Sequence, residues 1–149
     1  MKVVATIYTD FSEKFGIPRQ GALAHESEGI IVFEPEYRME EALRGIEKYS
    51  HLWLLWQFSE NVSKKWSPTV RPPNKRVGVF ATRSPFRPNP IGLTAVRPIG
   101  VEQTKNKGAV LRVAGVDLMN GTPIYDIKPY LPYADSIPEA SLGFAGEHL

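Results

Sequence analysis

The stretch LTAVRPIGVEQTKNKGAVLRVAGV, residues 93–116, decides the fold that we predict for this chain. Two runs rich in β-branched and apolar residues, 93–101 and 109–116, flank the polar turn KNKG at residues 105–108. Strand-like runs that are separated by a short turn containing glycine are typical of a β-hairpin. The stretch therefore predicts two neighbouring antiparallel strands.

Further strands are predicted on both sides of this hairpin. HLWLLWQF is too short and too aromatic for a helix, and it favours a buried central strand with Trp53 and Trp56 in the core. The other predicted strands are residues 2–8, 29–33, 76–81 and 124–127. The total is six or seven strands.

One segment has helical periodicity. Met39, Ala42, Leu43 and Ile46 are spaced as one face of a helix over residues 36–49, which predicts an amphipathic helix packed on the core. Since helix and strand do not alternate along the chain, a Rossmann-type doubly wound sheet is not expected. We predict a mainly β (α+β) fold: a closed six- or seven-stranded β-barrel, antiparallel or mixed, with one main helix.

Length and composition indicate a single domain over residues 1–149. Hydrophobic residues make up 42% and charged residues 23% of the chain, as in ordinary globular domains. Cysteine is absent, which excludes a disulfide framework, a thiolate zinc site and a cysteine nucleophile. No signal-peptide core and no run approaching ~20 apolar residues is present, so we expect no membrane partner and a cytoplasmic location.

The positive charge is concentrated in one window. No acidic residue lies between Glu60 and Glu102, whereas eight basic residues and seven of the 13 prolines lie there. Outside the window, ten basic residues face 16 acidic ones. A stiff basic loop system predicts a polyanionic partner, and a solvated basic loop is the alternative.

The loop ATRSPFRPNP, residues 81–90, is the most unusual part of this window. Its prolines hold Arg83, Arg87 and Asn89 in a rigid frame, which lowers the entropy lost when these side chains bind a ligand. A proline-stiffened corner of the barrel explains the same residues equally well. Elsewhere, the histidines lack metal-ligand spacing, and neither a GxSxG nor a GxGxxG motif occurs. We therefore predict no metal site.

Four segments together carry a resemblance to a known family. They are FGIPRQ (15–20), SHLWLLWQF (50–58), ATRSPFRPNPIGLTAV (81–96) and DIKPYLPYAD (126–135). From Val4 to Asp135 the chain resembles the TrmO family, also called YaeB-like, of tRNA methyltransferases. The resemblance implies a homodimeric β-barrel enzyme that uses S-adenosylmethionine to methylate the exocyclic nitrogen of threonylcarbamoyladenosine, next to the anticodon. From the resemblance we also expect that some relatives continue into a C-terminal domain beyond the part that matches this chain, and that relatives often have an acidic residue where Asn120 stands.

The resemblance also implies the cofactor contacts. They fall on Pro18, Arg19, Gln20, Ser59, Glu60, Arg83, Leu93, Asn120, Gly121, Thr122 and Pro123. Chemically, a carboxylate such as Glu60 suits a ribose hydroxyl or an ammonium, Leu93 suits the face of adenine, and turn backbone suits adenine edges. Taken alone, Asn120–Gly121 is typical of a plain type I′ hairpin turn.

Methyl transfer to a weakly nucleophilic nitrogen favours a general base, which contributes ~10²–10⁴-fold. Asp126 is the candidate base and Lys128 its partner, with Arg87 of the rigid loop as a third catalytic candidate; a structural Asp–Lys pair is the alternative. For RNA, we predict phosphate contacts from Lys64, Lys65 and Lys75, and base stacking on Tyr130 and Tyr133. Core packing is the alternative for both tyrosines.

A non-catalytic β-barrel module that binds RNA or S-adenosylmethionine is the competing function. Charge and aromatic content fit both functions. A pure RNA module has no need for Arg19, Glu60, Arg83 and Asn120 to converge, so convergence of these residues favours the enzyme.

Overall fold

In the computed structural model, residues 1–10, 27–58, 65–70 and 76–143 are described. Their strands are β1 (Ala5–Tyr8), β2 (Glu28–Phe33), β3 (Leu52–Gln57), β4 (Thr69–Val70), β5 (Val77–Gly78), β6 (Ile91–Thr104), β7 (Gly108–Ala114) and β8 (Thr122–Pro129). Their helices are short 3-10 turns at Pro35–Tyr37, Glu40–Leu43, Ile46–Lys48 and Val79–Ala81, and a four-residue α-helix, α1 (Pro132–Asp135). None of the helices in these ranges has the length and apolar character needed to span a membrane.

Six strands form one antiparallel sheet in the order β1-β2-β7-β6-β3-β8. β8 pairs with β1, so the order of neighbours returns to its start. β4 and β5 form a separate two-stranded sheet. The mainly β class with six antiparallel strands and no Rossmann alternation is confirmed. The strand predicted over residues 76–81 is correct only for Val77–Gly78, because Val79–Ala81 turns into a 3-10 helix.

The hairpin predicted from residues 93–116 is confirmed as β6 and β7. Thr104 pairs with Gly108 across the turn, and Gly108 has a φ of 65°, which favours glycine. The β6–β7 register shifts between Pro98 and Gly100. The register shift occurs there because proline has no backbone N–H and cannot donate a hydrogen bond to the neighbouring strand.

The hydrophobic core lies against one face of the six-stranded sheet, and it is formed by side chains at alternate positions of the strands. Leu52 and Leu54 of β3 are fully buried there, with Ile7, Leu111 and Ile124 from three other strands. Trp56 is partly buried against this cluster. The prediction of a core position for Trp53 is wrong. Alternation places Trp53 on the outer face, where its indole N–H donates to Asp135 Oδ2 over 2.9 Å.

The main helix predicted over residues 36–49 is also wrong, because three 3-10 turns occupy this segment. Gly45, with a φ of 89°, interrupts the chain in the middle. Only Leu43 of the predicted apolar face is buried, Ile46 is half-buried, and Met39 is 52% exposed. This segment contributes only a few side chains to the core cluster, so short 3-10 turns are enough to place them there.

An ion cluster lies across three strands. Arg112 of β7 donates to Glu28 of β2 over 2.9 Å and to Glu102 of β6 over 2.8 Å. Burial lowers the pKa of the guanidinium, but the hydrogen bonds and charges of Glu102 and Glu28 together raise it above its usual value. The buried arginine therefore stays charged and ties β2, β7 and β6 together.

Candidate functional site

A hollow of about 350 Å³ lies where β3 ends and β8 begins; we call it the turn hollow. Four of the predicted cofactor residues line it, namely Asn120, Gly121, Thr122 and Pro123. The rest of its wall is Trp56, Gln57, Phe58, Asp117, Leu118 and Met119. The hollow is thus mostly apolar, with one carboxylate and a few amide and hydroxyl groups, as is typical of a small-molecule site.

The turn that lines this hollow is held by its own hydrogen bonds. Asn120 Oδ1 accepts from the backbone N–H of Thr9 over 2.8 Å and from that of Asp10 over 3.3 Å. The N–H of Gly121 donates to Ile7 and that of Thr122 to Met119. These N–H groups are therefore engaged within the protein, and Asn120 itself lines the hollow.

This turn is not a hairpin. The strands on either side of it, β7 and β8, do not pair, and β8 pairs with β1 and β3 instead. Gly121 has a φ of 87°, which explains the glycine. The type I′ hairpin interpretation of Asn120–Gly121 is wrong, because it assumed that neighbouring strands in sequence are neighbours in the sheet.

A second hollow of about 350 Å³ contains the other described cofactor candidates; we call it the loop hollow. Arg83 and Leu93 line it, together with the catalytic candidate Arg87. Trp56 and Phe58 line both hollows, and their ring centroids are 4.5 Å apart. The structure therefore brings the two groups of predicted cofactor residues to either side of one aromatic wall.

A glycine positions this wall. Gly92 of β6 is the register partner of Trp56, and an added Cβ at Gly92 would lie 2.2 Å from Trp56 Cε2. The indole thus lies directly over the glycine backbone, and its N–H donates to Thr94 Oγ1 over 3.0 Å. Trp56, Phe58 and Gly92 were not predicted from the sequence as site residues. The β3–β6 register places Gly92 against Trp56, and the ring contact places Phe58 beside it.

The proline-arginine loop is folded around Arg87. Its Nη1 donates to the carbonyls of Thr82, over 2.8 Å, and of Ser84, over 3.2 Å. Arg83, in contrast, is exposed, and no carboxylate in the described ranges forms an ion pair with it. Arg87 therefore braces the loop, while Arg83 lies exposed at the edge of the loop hollow.

Asp126 and Lys128 lie outside both hollows. They form an exposed ion pair over 3.1 Å, and Asp126 Oδ1 also accepts from the N–H of Ile127. In register, Asp126 lies opposite Leu55, and Leu55 lies opposite Leu93. Residues paired in this way share one face of the sheet, so Asp126 and Leu93 lie two strands, or about 10 Å, apart on the outer surface.

The two predicted stacking tyrosines differ. The Tyr130 ring lies 5.2 Å from the Trp53 ring and 6.3 Å from the His51 ring, so Tyr130 packs within an aromatic cluster. Tyr133 in α1 is 88% exposed, which excludes core packing for it. Both residues lie in the segment that follows Asp126 and Lys128 along the chain.

The remaining predicted residues divide by location. Lys65 is exposed. Pro18, Arg19, Gln20, Ser59, Glu60, Lys64 and Lys75 lie outside the described residues.

Known proteins resemble this chain along most of its length. The sequence profile of the tRNA-methyltransferase O N-terminal domain, TrmO_N, matches residues 6–136. The chain belongs to this family. The matched range includes both hollows, the Asp126–Lys128 pair and nearly all of the sheet.

Relatives of the TrmO_N family support the assignment. The tRNA (adenine(37)-N6)-methyltransferase of Escherichia coli is 44% identical over 95% of this chain and 62% of its own length. A candidate S-adenosylmethionine-dependent methyltransferase of Pseudomonas aeruginosa, RcsF, is 44% identical over 95% of this chain and 61% of its own. The crystal structure of TrmO from Pseudomonas aeruginosa superposes with a TM-score of 0.71 at 42% identity, covering 97% of this chain and 61% of that one. The chain therefore spans about three fifths of the length of these relatives.

Proposed function

We propose that this chain is a methyltransferase domain that transfers the methyl group of S-adenosylmethionine to the exocyclic nitrogen of threonylcarbamoyladenosine, next to the anticodon of tRNA. The observation that carries the proposal is the pair of hollows on either side of Trp56 and Phe58. Residues that are distant in sequence, and that the resemblance implies as cofactor contacts, line these hollows. The names of the E. coli and P. aeruginosa relatives support the same activity.

The residues present fit S-adenosylmethionine. The cofactor combines an adenosine, a sulfonium and an amino acid, so it needs aromatic or apolar walls beside a few charged groups. Trp56 and Phe58 supply π faces for adenine or for the sulfonium cation, and Asp117 suits the ammonium. The exposed Arg83 suits the carboxylate, and the Asn120 side-chain amide nitrogen can donate to the purine. When bound, the cofactor supplies an electrophilic methyl group.

The protein groups would then act mainly by positioning. Asp126 is the proposed base that accepts the proton of the target nitrogen, and Lys128 holds the Asp126 carboxylate in place through their 3.1 Å contact. Lys128 also suits the carboxylate of the threonylcarbamoyl group. Arg87 acts through the loop, because its two carbonyl contacts fix the frame that carries Arg83.

Four further proposals concern the protein as a whole. The chain forms one domain over residues 1–149, and its sheet is a closed barrel, which the β1–β8 pairing supports. It works as a homodimer, as the resemblance implies. We place it in the cytoplasm, on the ground that its substrate is tRNA.

Nucleoside mass spectrometry tests the reaction. The protein and S-adenosylmethionine are incubated with tRNA that carries the threonylcarbamoyl group and, as a control, with the same tRNA lacking it. We expect methylation only of the modified tRNA, because a site built for this acidic group leaves polar groups unpaired without it. Equal rates on both would contradict the selectivity. RNA binding without any transfer would favour the non-catalytic module.

Calorimetry tests the cofactor site separately. Titration with S-adenosylmethionine in the presence of a chelator should show binding near one molecule per chain. The chelator tests whether binding is independent of metal ions. Among the described residues, no group of three or more histidine or carboxylate side chains could hold a metal ion. An absence of heat at millimolar cofactor would falsify the proposed site.

A further inference from the structure

Three large aromatic side chains are exposed close to the proline-arginine loop. Trp66 is 55% exposed, Phe80 is 77% exposed and Phe86 is 46% exposed. We call these three residues the aromatic face. Isolated exposed apolar residues are ordinary, but three aromatic residues in one small region mark an interaction surface.

Backbone hydrogen bonds bring the three residues into one unit. The N–H of Ser67, next to Trp66, donates to the carbonyl of Phe86 over 3.0 Å. The N–H of Val79, next to Phe80, donates to the carbonyl of Pro68 over 2.9 Å. The β4–β5 pairing closes the same unit. The backbone segments that carry the three aromatic residues are therefore hydrogen-bonded to one another, which limits the entropy lost when the residues bind.

The surroundings of the aromatic face are basic. Lys65 and Arg76 are exposed beside Trp66 and β5, and Arg83 is exposed in the following loop. None of these three forms an ion pair with a described carboxylate. The Arg87 guanidinium carbon lies 6.0 Å from the centre of the Phe80 ring. The sequence window that contains the face has no acidic residue between Glu60 and Glu102.

We propose that the aromatic face is a stacking platform for unpaired RNA bases that flank the nucleotide being modified. Unpaired bases stack on exposed aromatic rings, and basic side chains around the rings attract the phosphates that link those bases. The platform borders the loop hollow, because Arg87 lines the hollow and also lies beside Phe80. The inference rests on the proposed function in that it takes RNA as the substrate.

A second copy of the chain is the other occupant to consider. Two such faces that met symmetrically would bring the basic side chains of both copies together, and this repulsion between like charges opposes association. RNA supplies the opposite charge and the flat apolar surfaces at once. Charge complementarity therefore favours RNA over a second copy.

The test uses the full chain and two labelled probes, a short single-stranded oligoribonucleotide and an RNA duplex of the same length. Trp66→Leu, Phe80→Leu and Phe86→Leu keep an apolar side chain but remove the aromatic ring. Each should weaken single-strand binding roughly 5- to 100-fold, as expected when stacking with one base is lost. The dependence on salt should be unchanged, because no phosphate contact is removed. Duplex binding should change little.

Tyr49→Leu is the matched control, since Tyr49 is 39% exposed and lies outside this unit. It should bind both probes as the wild type does, and thermal unfolding checks that every variant is folded. Wild-type affinity in all three leucine variants would overturn the platform. Light scattering measures whether the substitutions dissociate a dimer. If they do, and single-strand binding is retained, the aromatic face belongs to an interface with a second copy.

The binding assay uses neither cofactor nor methyl transfer, so the two proposals can fail separately. A wild-type protein that methylates tRNA while its leucine variants bind single strands normally overturns only the platform. A wild-type protein that binds single strands through the face but methylates nothing overturns only the proposed reaction.

Discussion

Gly92 has a structural role that its residue type alone does not reveal. Gly92→Ala would place a methyl group 2.2 Å from Trp56 Cε2, so the indole must move and lose its hydrogen bond to Thr94. Overpacking of this kind costs about 1–3 kcal/mol. Because Trp56 lines both hollows, cofactor binding should weaken as well. Denaturant unfolding and calorimetry measure the two effects.

The control for this substitution is on the same strand. Gly100→Ala adds the same methyl group at a position where no heavy atom lies within 4 Å. Its stability should stay within about 0.5 kcal/mol of the wild type. If the two variants unfold alike and bind S-adenosylmethionine alike, Gly92 does not position the aromatic wall.

Asp126 offers a second test on single residues. Asp126→Asn keeps the shape of the side chain but removes the proposed base, so turnover should fall by ~10²–10⁴-fold while cofactor affinity stays constant. Lys128→Gln breaks the same ion pair and leaves the carboxylate, so its turnover should fall much less. Single-turnover methylation assays give the comparison. If turnover falls equally in both variants, Asp126 acts only as the structural partner of Lys128 and not as a base.

At the level of secondary-structure elements, the Asp135 carboxylate links α1 to β3. Asp135 Oδ2 accepts from the Leu131 N–H and from the Trp53 indole, each over 2.9 Å, and so anchors α1 to β3. The Leu131 hydrogen bond and then the Trp53 bond hold the pKa of Asp135 below its usual value, against a small opposing effect of burial.

This shift predicts how α1 responds to acid. A lowered pKa means that the carboxylate stabilises the folded state fully above its unfolded pKa of about 3.9, and that this stabilisation is lost as the pH falls through the lower folded value. The contact between α1 and Trp53 should therefore weaken as the pH falls below about 4. Tryptophan fluorescence between neutral pH and acid should report the step. Asp135→Asn keeps an acceptor oxygen but cannot titrate, so a step of equal size in that variant would contradict the assignment.

At the level of the whole molecule, we propose that the basic residues serve two different ligands, tRNA phosphates and the cofactor. A lysine carries its charge on a four-carbon stem and needs little geometry to contact a phosphate, which suits Lys64, Lys65 and Lys75, whereas Arg83 belongs to a braced loop beside the loop hollow. Replacing the three lysines with alanine should weaken tRNA binding and flatten its salt dependence, by roughly 0.7–0.9 for each phosphate that the protein no longer neutralises. Cofactor affinity should hardly change.

Arg83→Ala is the complementary variant. It should weaken S-adenosylmethionine binding by about 1–3 kcal/mol, if a charge-assisted hydrogen bond is lost, and leave the salt slope for tRNA unchanged. The measurements are tRNA titrations at several salt concentrations and one cofactor titration for each variant. A wild-type salt slope in the triple lysine variant would place the RNA surface elsewhere.

The amino-acid sequence by itself determined the local features of this protein. The β6–β7 hairpin, the alternating strands and the rigid basic loop follow from short-range preferences of apolar, glycine and proline residues, and the resemblance to the TrmO family followed from motifs. The helix prediction for residues 36–49 failed because periodicity reflects only the spacing of apolar residues. The backbone conformation in this segment is instead set by the local turns that follow Pro35 and Gly45.

The tertiary structure alone decided which distant residues meet. Strand register places Gly92 under Trp56, aligns Leu93 with Asp126 across Leu55, and separates β8 from β7 so that the Asn120–Gly121 turn lines a hollow. Register depends on the pairing of strands far apart in sequence, and shifting it by one residue would turn every side chain to the opposite face. No pattern within one segment contains that information.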